Sequence, residues 1–400
     1  VHPGNRDSFS PTISADGRYV LFHSKASNLA AGSFGSSIEN LFFRDLQTRT
    51  NYALTSATSG TGVNSASMTP DGRSVAFIGT AAGVLAGTQL YVWNSQLTAR
   101  TYTNSATFGP SASSVVAISP NGQKLAYLSS SISSLSGADL VTKTVVTINS
   151  GGIFLSSCAG LRFSNDGRFL TYAMATNTPA NQNVYLYDFQ AGTNLLVRQN
   201  FNSTGITNAS SASPSISPDG RFIAYRSFAT NLVPFDFNNT ADLFVYDASN
   251  NAIILVSVNA SGNSTADDRS LKPVFSADGR TLFFQSWASD ISGNDFNNGS
   301  DIFALDLAAL PMTTSNGGGA TNYASVFYVQ LVSTGIFNSN PTLTWPLAAG
   351  KAYQVQYKTN LTDPVWLNLP GDVTFIGATG YLSDPLPSSG QRFYRIVLSP

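Results

Sequence analysis

Two stretches of this chain carry oxygen-bearing side chains at the same spacing, D-x-N-x-x-x-D. They are Asp236, Asn238 and Asp242 in one, and Asp295, Asn297 and Asp301 in the other. Oxygen donors at alternating positions of a tight loop, with a carboxylate returning at the seventh, can surround a hard cation such as Ca²⁺. An EF-hand would need more acids and a late Glu, which neither loop has. The same residues also admit a plainer reading: Asp236 and Asn238 turn their side chains onto the backbone, and Asp242 and Asp301 open strands. These six residues are the candidate metal ligands, calcium is the candidate ion, and no other cofactor is required by the sequence.

Other reactive groups are few. The histidines are His2 and His23, so a histidine-rich metal centre cannot be assembled from this sequence. There is no G-x-S-x-G elbow for a serine nucleophile, no phosphate-binding G-x-x-x-x-G-K-[ST] loop and no paired-cysteine zinc spacing. The one cysteine, Cys158, lies near Leu155, Leu161 and Phe163 and reads as a buried thiol. Paired carboxylates for glycoside hydrolysis could be drawn from Asp236, Asp267, Asp268 or Asp295, although no pair stands out. No catalytic residue is assigned, and the expectation is a protein that is not an enzyme.

The elements that position these residues are set by a repeated phrase. It reads SADGRYVLF (14–22), TPDGRSVAF (69–77), SPNGQKLAY (119–127), SNDGRFLTY (164–172), SPDGRFIAY (217–225) and SADGRTLFF (276–284). The Asp or Asn of successive copies is spaced 55, 50, 45, 53 and 59 residues apart. Asp-Gly or Asn-Gly between two extended runs supplies the positive φ of a tight hairpin. The run after each Gly alternates apolar residues as a strand with one buried face. Aromatic-rich strands ending in Asp or Asn come next: NLFFRDL (40–46), QLYVWNS (89–95), NVYLYDF (183–189), DLFVYDA (242–248) and DIFALDL (301–307). A third apolar stretch, as in AIILVSV (252–258), completes four strands per repeat, the content of a propeller blade. No such unit could fold alone. The arginines after each turn (Arg18, Arg73, Arg168, Arg221, Arg280) track this motif and are expected to pair with hairpin aspartates of the same or an adjacent blade.

The S-x-D-G-R-x-h-x-[FY] phrase followed by an aromatic strand ending in Asp resembles the WD40-like (PD40) repeats of TolB-type six-bladed β-propellers, over about residues 8–310. The third copy departs most, with Gln123 and Lys124 in place of the Arg-aromatic pair and a shortened second hairpin at 139–148. The resemblance implies a six-bladed propeller over 1–310, but TolB's own partners are not carried over with it. A Gly-rich linker is expected at 311–322. Short alternating strands over 323–400, with Trp345 and Trp366 as core, resemble a fibronectin type III or immunoglobulin-like sandwich of secreted bacterial proteins. The fold class is thus all-β, a six-bladed β-propeller followed by a small β-sandwich, whose final strand could leave an open edge.

With 21 basic and 22 acidic residues, net charge −1 offers no electrostatic reason to bind nucleic acid or an anionic membrane. Charged residues are only 11 % of the chain, so Ser, Thr, Asn and Gly must supply the polar surface. No apolar run is long enough for a transmembrane helix. The start, VHPGNRDSF, lacks the pattern of an export signal. An extracellular or cell-envelope location, with any signal peptide removed, is inferred from the resemblance and the composition. The function expected is a non-catalytic interaction or structural protein that binds a protein partner or itself, in one version as a fibre or sheath joined by strand pairing. The arm 1–9 could pair with a neighbour or close the sixth blade. A carbohydrate-active enzyme acting on a polysaccharide, and an envelope scaffold binding a partner's peptide, are the competing expectations.

Overall fold

A computed structural model of the chain describes residues 3–307 except 36, 61, 85–86, 109–114, 130–131, 150–157, 176–181, 198–208, 233–235, 237, 261–263 and 292–298. Beyond these it describes 330–331, 342–346, 352–359, 365–376, 379–385 and 393–399, so the expected linker 311–322 lies outside the described residues. The chain divides into two compact units. One holds Val1–Gln199, Ile206–Tyr225 and Asp247–Ser249, and the other Asn200–Gly205, Arg226–Tyr246 and Asn250–Pro400.

The described residues are all-β, and six blade-like antiparallel sheets follow one another in sequence. The first comprises β1 (Ser8–Ile13), β2 (Tyr19–Ser24), β3 (Asn40–Asp45) and β4 (Thr50–Ala53), and the second β5 (Val63–Met68), β6 (Ser74–Gly79), β7 (Thr88–Asn94) and β8 (Ala99–Phe108). The third holds β9 (Val115–Ile118), β10 (Lys124–Ser129), β11 (Ile132–Asp139) and β12 (Val145–Asn149), and the fourth β13 (Ala159–Phe163), β14 (Phe169–Met174), β15 (Asn183–Asp188) and β16 (Thr193–Val197). The fifth is made of β17 (Ser211–Ile216), β18 (Phe222–Ser227), β19 (Asp242–Asp247) and β20 (Ala252–Leu255). The sixth shows three strands, β21 (Ser270–Phe275), β22 (Thr281–Ser286) and β23 (Asp301–Asp306). Each sheet runs in simple sequence order, the up-and-down arrangement of a propeller blade.

The repeated phrase is the turn between the first two strands of every blade. In the first copy the Ser14 N–H donates to the Tyr19 carbonyl at 2.9 Å and Gly17 N–H returns to the Ser14 carbonyl at 2.9 Å. The Ser14 hydroxyl donates to Asp16 at 2.5 Å and accepts from the Tyr19 N–H at 2.8 Å, while Asp16 accepts the Arg18 N–H at 3.0 Å. Thr69 with Asp71, Ser119 with Asn121, Ser164 with Asp166, Ser217 with Asp219 and Ser276 with Asp278 repeat these bonds. Only the Gly of each copy takes a positive φ, and the Asp or Asn before it acts as an acceptor instead.

The alternation has a different meaning from a single buried face. In β6 the residues Val75 and Phe77 join an apolar cluster with Leu21, Leu41 and Phe43 of the first sheet. Their neighbours Ala76 and Ile78 join a second cluster with Val116, Ile118 and Leu125 of the third. The inner strand is therefore covered on both faces, because sheets stack on sheets. A third cluster continues from Leu128 and Leu135 to Leu161, Leu170 and Tyr172 of the fourth sheet.

The third blade's third strand, β11, is Ile132–Asp139, upstream of the hairpin expected at 139–148. It carries no aromatic residue, so only its terminal Asp marks it as the counterpart of the others. The start of the chain is also tied locally: the Asp7 carbonyl accepts the Lys25 N–H at 3.0 Å, Asn5 exchanges bonds with Ser27 and donates its N–H to Asn28, and Phe9 pairs with His23. Ser8 and Phe9 thus pair with β2 in the first sheet, and Asn5 and Asp7 are tied to the residues just after that strand.

In the C-terminal stretch, β24 (Gln330–Leu331), β25 (Thr342–Pro346), β28 (Thr374–Ile376) and β29 (Thr379–Ser383) form one small sheet. A second consists of β26 (Ala352–Lys358), β27 (Leu367–Asn368) and β30 (Phe393–Ser399). Leu343 and Leu382 of the first meet Val355 of the second and Leu369 in a compact apolar cluster. Trp366 is not core as expected: it is half-buried, with the Lys358 ammonium 4.9 Å from its ring centroid. The side chain of Trp345 lies outside the described residues.

Candidate functional site

The arginines of the repeats are structural. Arg18 binds Asp45 through two nitrogens at 3.2 and 2.7 Å, Arg221 binds Asp247 at 3.0 and 2.7 Å, and Arg168 binds Asp188 at 2.7 Å. The partner is the Asp that ends the third strand of the same blade, not the hairpin Asp. Only Arg73 leans on its own hairpin acid, Asp71, at 3.4 Å. In the third blade Lys124 takes the arginine's place against Asp139. The Arg18 hydrogen bonds hold the Asp45 carboxyl down at about 2, and Lys124 draws Asp139 to about 2 against the opposing effect of its burial. His23 is paired through Nδ1 with Glu39 at 2.5 Å, and Cys158 is a buried thiol pushed up to about 12 by desolvation.

Asp236 and Asp242, before and at the start of β19, are different, because no salt bridge to them is found among the described residues. Asp242 opens β19 with its side chain fully buried. Its Oδ1 accepts the Ser257 hydroxyl at 2.8 Å and its Oδ2 accepts Asn238 Nδ2 at 3.0 Å. Asn238 also donates to the Ala266 carbonyl at 2.6 Å and accepts the Thr240 N–H at 2.9 Å. Asp236 is only 5 % exposed, and its Oδ1, like Thr240 Oγ1, is buried without a hydrogen-bond partner. Burial pushes Asp236 up to about 6; burial together with the nearby Asp236 charge pushes Asp242 up to about 8.

The structure thus brings Asp236, Asn238 and Asp242 together. Asp295 and Asn297 lie outside the described residues, and Asp301 is the half-buried first residue of β23, opposite Ser286. Among the described residues no group of three or more His, Cys, Asp or Glu side chains stands at metal-binding spacing. Any cation here would have two carboxylates and neutral oxygens.

The sequence reading missed Asp290, whose charge also raises Asp242 and whose Oδ1 accepts the Asp267 N–H at 2.9 Å. No local motif points to it, since it comes from the following repeat. Asp267 is bound by Ser289 through the backbone N–H at 2.8 Å and the hydroxyl at 2.7 Å, and Asp268 accepts the Arg269 N–H at 2.6 Å.

Solved structures similar to this chain are distant. TolB from Agrobacterium tumefaciens is 15 % identical, with 62 % of this chain and 80 % of that one covered at a TM-score of 0.38. Oligogalacturonate lyase from Vibrio parahaemolyticus is 13 % identical over 79 % and 80 %, at 0.44. Kuenenia stuttgartiensis hydrazine synthase is 14 % identical over 75 % and 76 %, at 0.41. No protein-family model matches the chain, and no curated protein does. Likenesses at these scores carry no argument about activity; the blade organisation rests on the strand order and packing described above.

Proposed function

We propose that this chain is an exported, non-catalytic six-bladed β-propeller with a fibronectin type III-like C-terminal sandwich, acting as a rigid platform that binds a protein partner or further copies of itself. One observation carries the reading: the polar side chains that the sequence offers for catalysis are tied into the fold. Arg18, Arg168, Arg221 and Lys124 face strand-end aspartates, Arg73 leans on Asp71, His23 faces Glu39, and Cys158 is sealed in the core. Of the acids that could have served a glycosidase, Asp236 is buried, while Asp267 is exposed but bonded within the fold. A cavity of about 360 Å³ beside Asn51, Tyr52 and Trp93 has no carboxylate, histidine or thiol in its lining.

Self-assembly by strand pairing would use β30, an outer strand of its three-stranded sheet among the described residues. The test uses the full chain on a panel of polysaccharides, with reducing ends as readout, beside electron micrographs of the same preparation. No turnover is expected. Filaments would assign the platform to copies of itself, and single particles to a separate partner. Polysaccharide cleavage that disappears in Asp267→Asn or Asp295→Asn would overturn the proposal.

A further inference from the structure

We infer that Asp236 and Asp242, just before and at the start of β19, bind a hard divalent cation between their carboxylates, calcium by the oxygen-only donors, with Thr240 Oγ1 as a neutral ligand. A buried carboxylate is stable only when paired, hydrogen-bonded throughout or protonated. Asp242 receives two neutral donors and no positive charge, and Asp236 leaves one buried oxygen with no donor at all. Thr240 adds a second buried oxygen without a partner four residues on. Two orphaned oxygens and two like charges in one loop are the arrangement that a bound cation resolves. Each Asp242 oxygen keeps a second lone pair for it, and water can complete the six to eight oxygens that calcium takes.

The first blade provides an internal comparison. Asn40 opens β3 as Asp242 opens β19. The Thr55 hydroxyl donates to Asn40 Oδ1 at 3.0 Å and accepts the Leu41 N–H at 2.8 Å. In the fifth blade the Ser257 hydroxyl donates to Asp242 Oδ1 at 2.8 Å and accepts the Leu243 N–H at 2.9 Å. A neutral amide therefore meets the scaffold's needs at this position. What the fifth blade adds is charge, and it adds it twice, since the loop 28–39 of the first blade has no Asp at all and only Glu39, which is turned to His23. Asn238 accepts the Thr240 N–H and donates its amide to Asp242 and to the Ala266 carbonyl, so we assign it as a positioning residue for Asp242.

The test titrates calcium chloride into the full chain stripped with EGTA, reading bound calcium by equilibrium dialysis and the melting temperature. The wild type is expected to bind calcium and to melt at least about 4 °C higher in 1 mM calcium than in EGTA. Asp242→Asn keeps the Ser257 bond, as Asn40 keeps that of Thr55, and gives up only the Asn238 bond, so it should fold and bind one calcium equivalent fewer than wild type. Asp236→Asn should lose the same equivalent. If Asp236→Asn does not fold, the Asp242→Asn count decides alone. Equal calcium counts in Asp242→Asn and wild type, or no uptake by wild type at millimolar calcium, would overturn the assignment and leave protons as what neutralises the pair.

Discussion

Gly220 stands against the ring of Phe169: a β-carbon placed on it would overlap the ring's Cδ2. The turn of the fifth blade is thereby pressed onto the strand that follows the turn of the fourth, and the Asn165 N–H reaches the Pro218 carbonyl beside it at 2.8 Å. Gly220 carries φ +79°, so alanine there meets both a strained backbone and the Phe169 ring. Gly220→Ala should cost roughly 2–4 kcal/mol in urea unfolding. Gly17→Ala, at φ +72° with nothing within 4 Å, isolates the backbone effect and should cost only about 1–2 kcal/mol. Equal losses at the two positions would show that contact between successive turns contributes little.

The strand-end aspartates make the fold acid-sensitive. Asp45 titrates at about 2 in the native chain because Arg18 holds its anion, against an ordinary 3.8. A carboxyl depressed by folding contributes stability above its unfolded value and loses it as pH falls through the native one. The melting temperature should therefore drop between pH 4 and pH 2, and Asp45→Asn should flatten part of that drop. Asp247→Ala, which also strips the Ser249 bonds, should cost about 2 kcal/mol at pH 7.

The hairpin turns were legible because their chemistry is local: a hydroxyl, a carboxylate and a glycine within four residues specify one conformation. The ion-pair partners were not, since Arg18 and Asp45 are 27 residues apart and only the pairing of β2 with β3 brings them together. Period-two alternation located the strands but could not say how many faces are covered, which depends on neighbouring sheets. The D-x-N-x-x-x-D spacing found the loop with unpaired acids. It could not tell ligand from positioning residue, because Asn238 is assigned by its bonds to Ala266 and Asp242, and Asp290 enters from another repeat.

Tyr172 joins two blades by its hydroxyl, which accepts Asn194 Nδ2 at 2.8 Å and Asn149 Nδ2 at 3.3 Å, while its ring stacks on Tyr185 with centroids 5.2 Å apart. Removing the oxygen leaves the rings in place and deprives both amides. Tyr172→Phe should cost about 1–3 kcal/mol, whereas Tyr185→Leu should cost mainly packing. A double-mutant comparison with Asn194→Ala measures how much of the loss is this bond, and strict additivity would show that the bond contributes nothing.

Cys158, 7 % exposed and pushed up to about 12 by desolvation, should resist alkylation in the native chain. Only the thiolate reacts, and folding withholds both access and ionisation. A thiol reagent at pH 8 should label it at least about 100-fold more slowly than in urea. Rapid native labelling would mean that the wall between the third and fourth sheets opens readily.

Asn40 offers the converse of the buried-acid argument. Asn40→Asp would place a carboxylate where the Thr55 hydroxyl and the Ala57 N–H already donate, at 3.0 and 2.9 Å, in a residue 1 % exposed. No cation stands opposite it in those bonds, so burial should raise its native value, as it does for Asp242. A carboxyl raised by folding binds more protons in the native state than in the unfolded one, and stability then falls as pH rises from about 4 toward the native value. The variant should match wild type near pH 4 and melt progressively lower toward pH 8. Calcium should not rescue it, because the first-blade loop lacks a counterpart to Asp236. Under EGTA the wild type should show the same downward trend from Asp236 and Asp242, with Asp290 adding to it, and calcium should relieve that trend most at pH 8. A wild-type chain equally stable at pH 5 and pH 8 in EGTA would show that the paired acids do not carry the charge assigned to them.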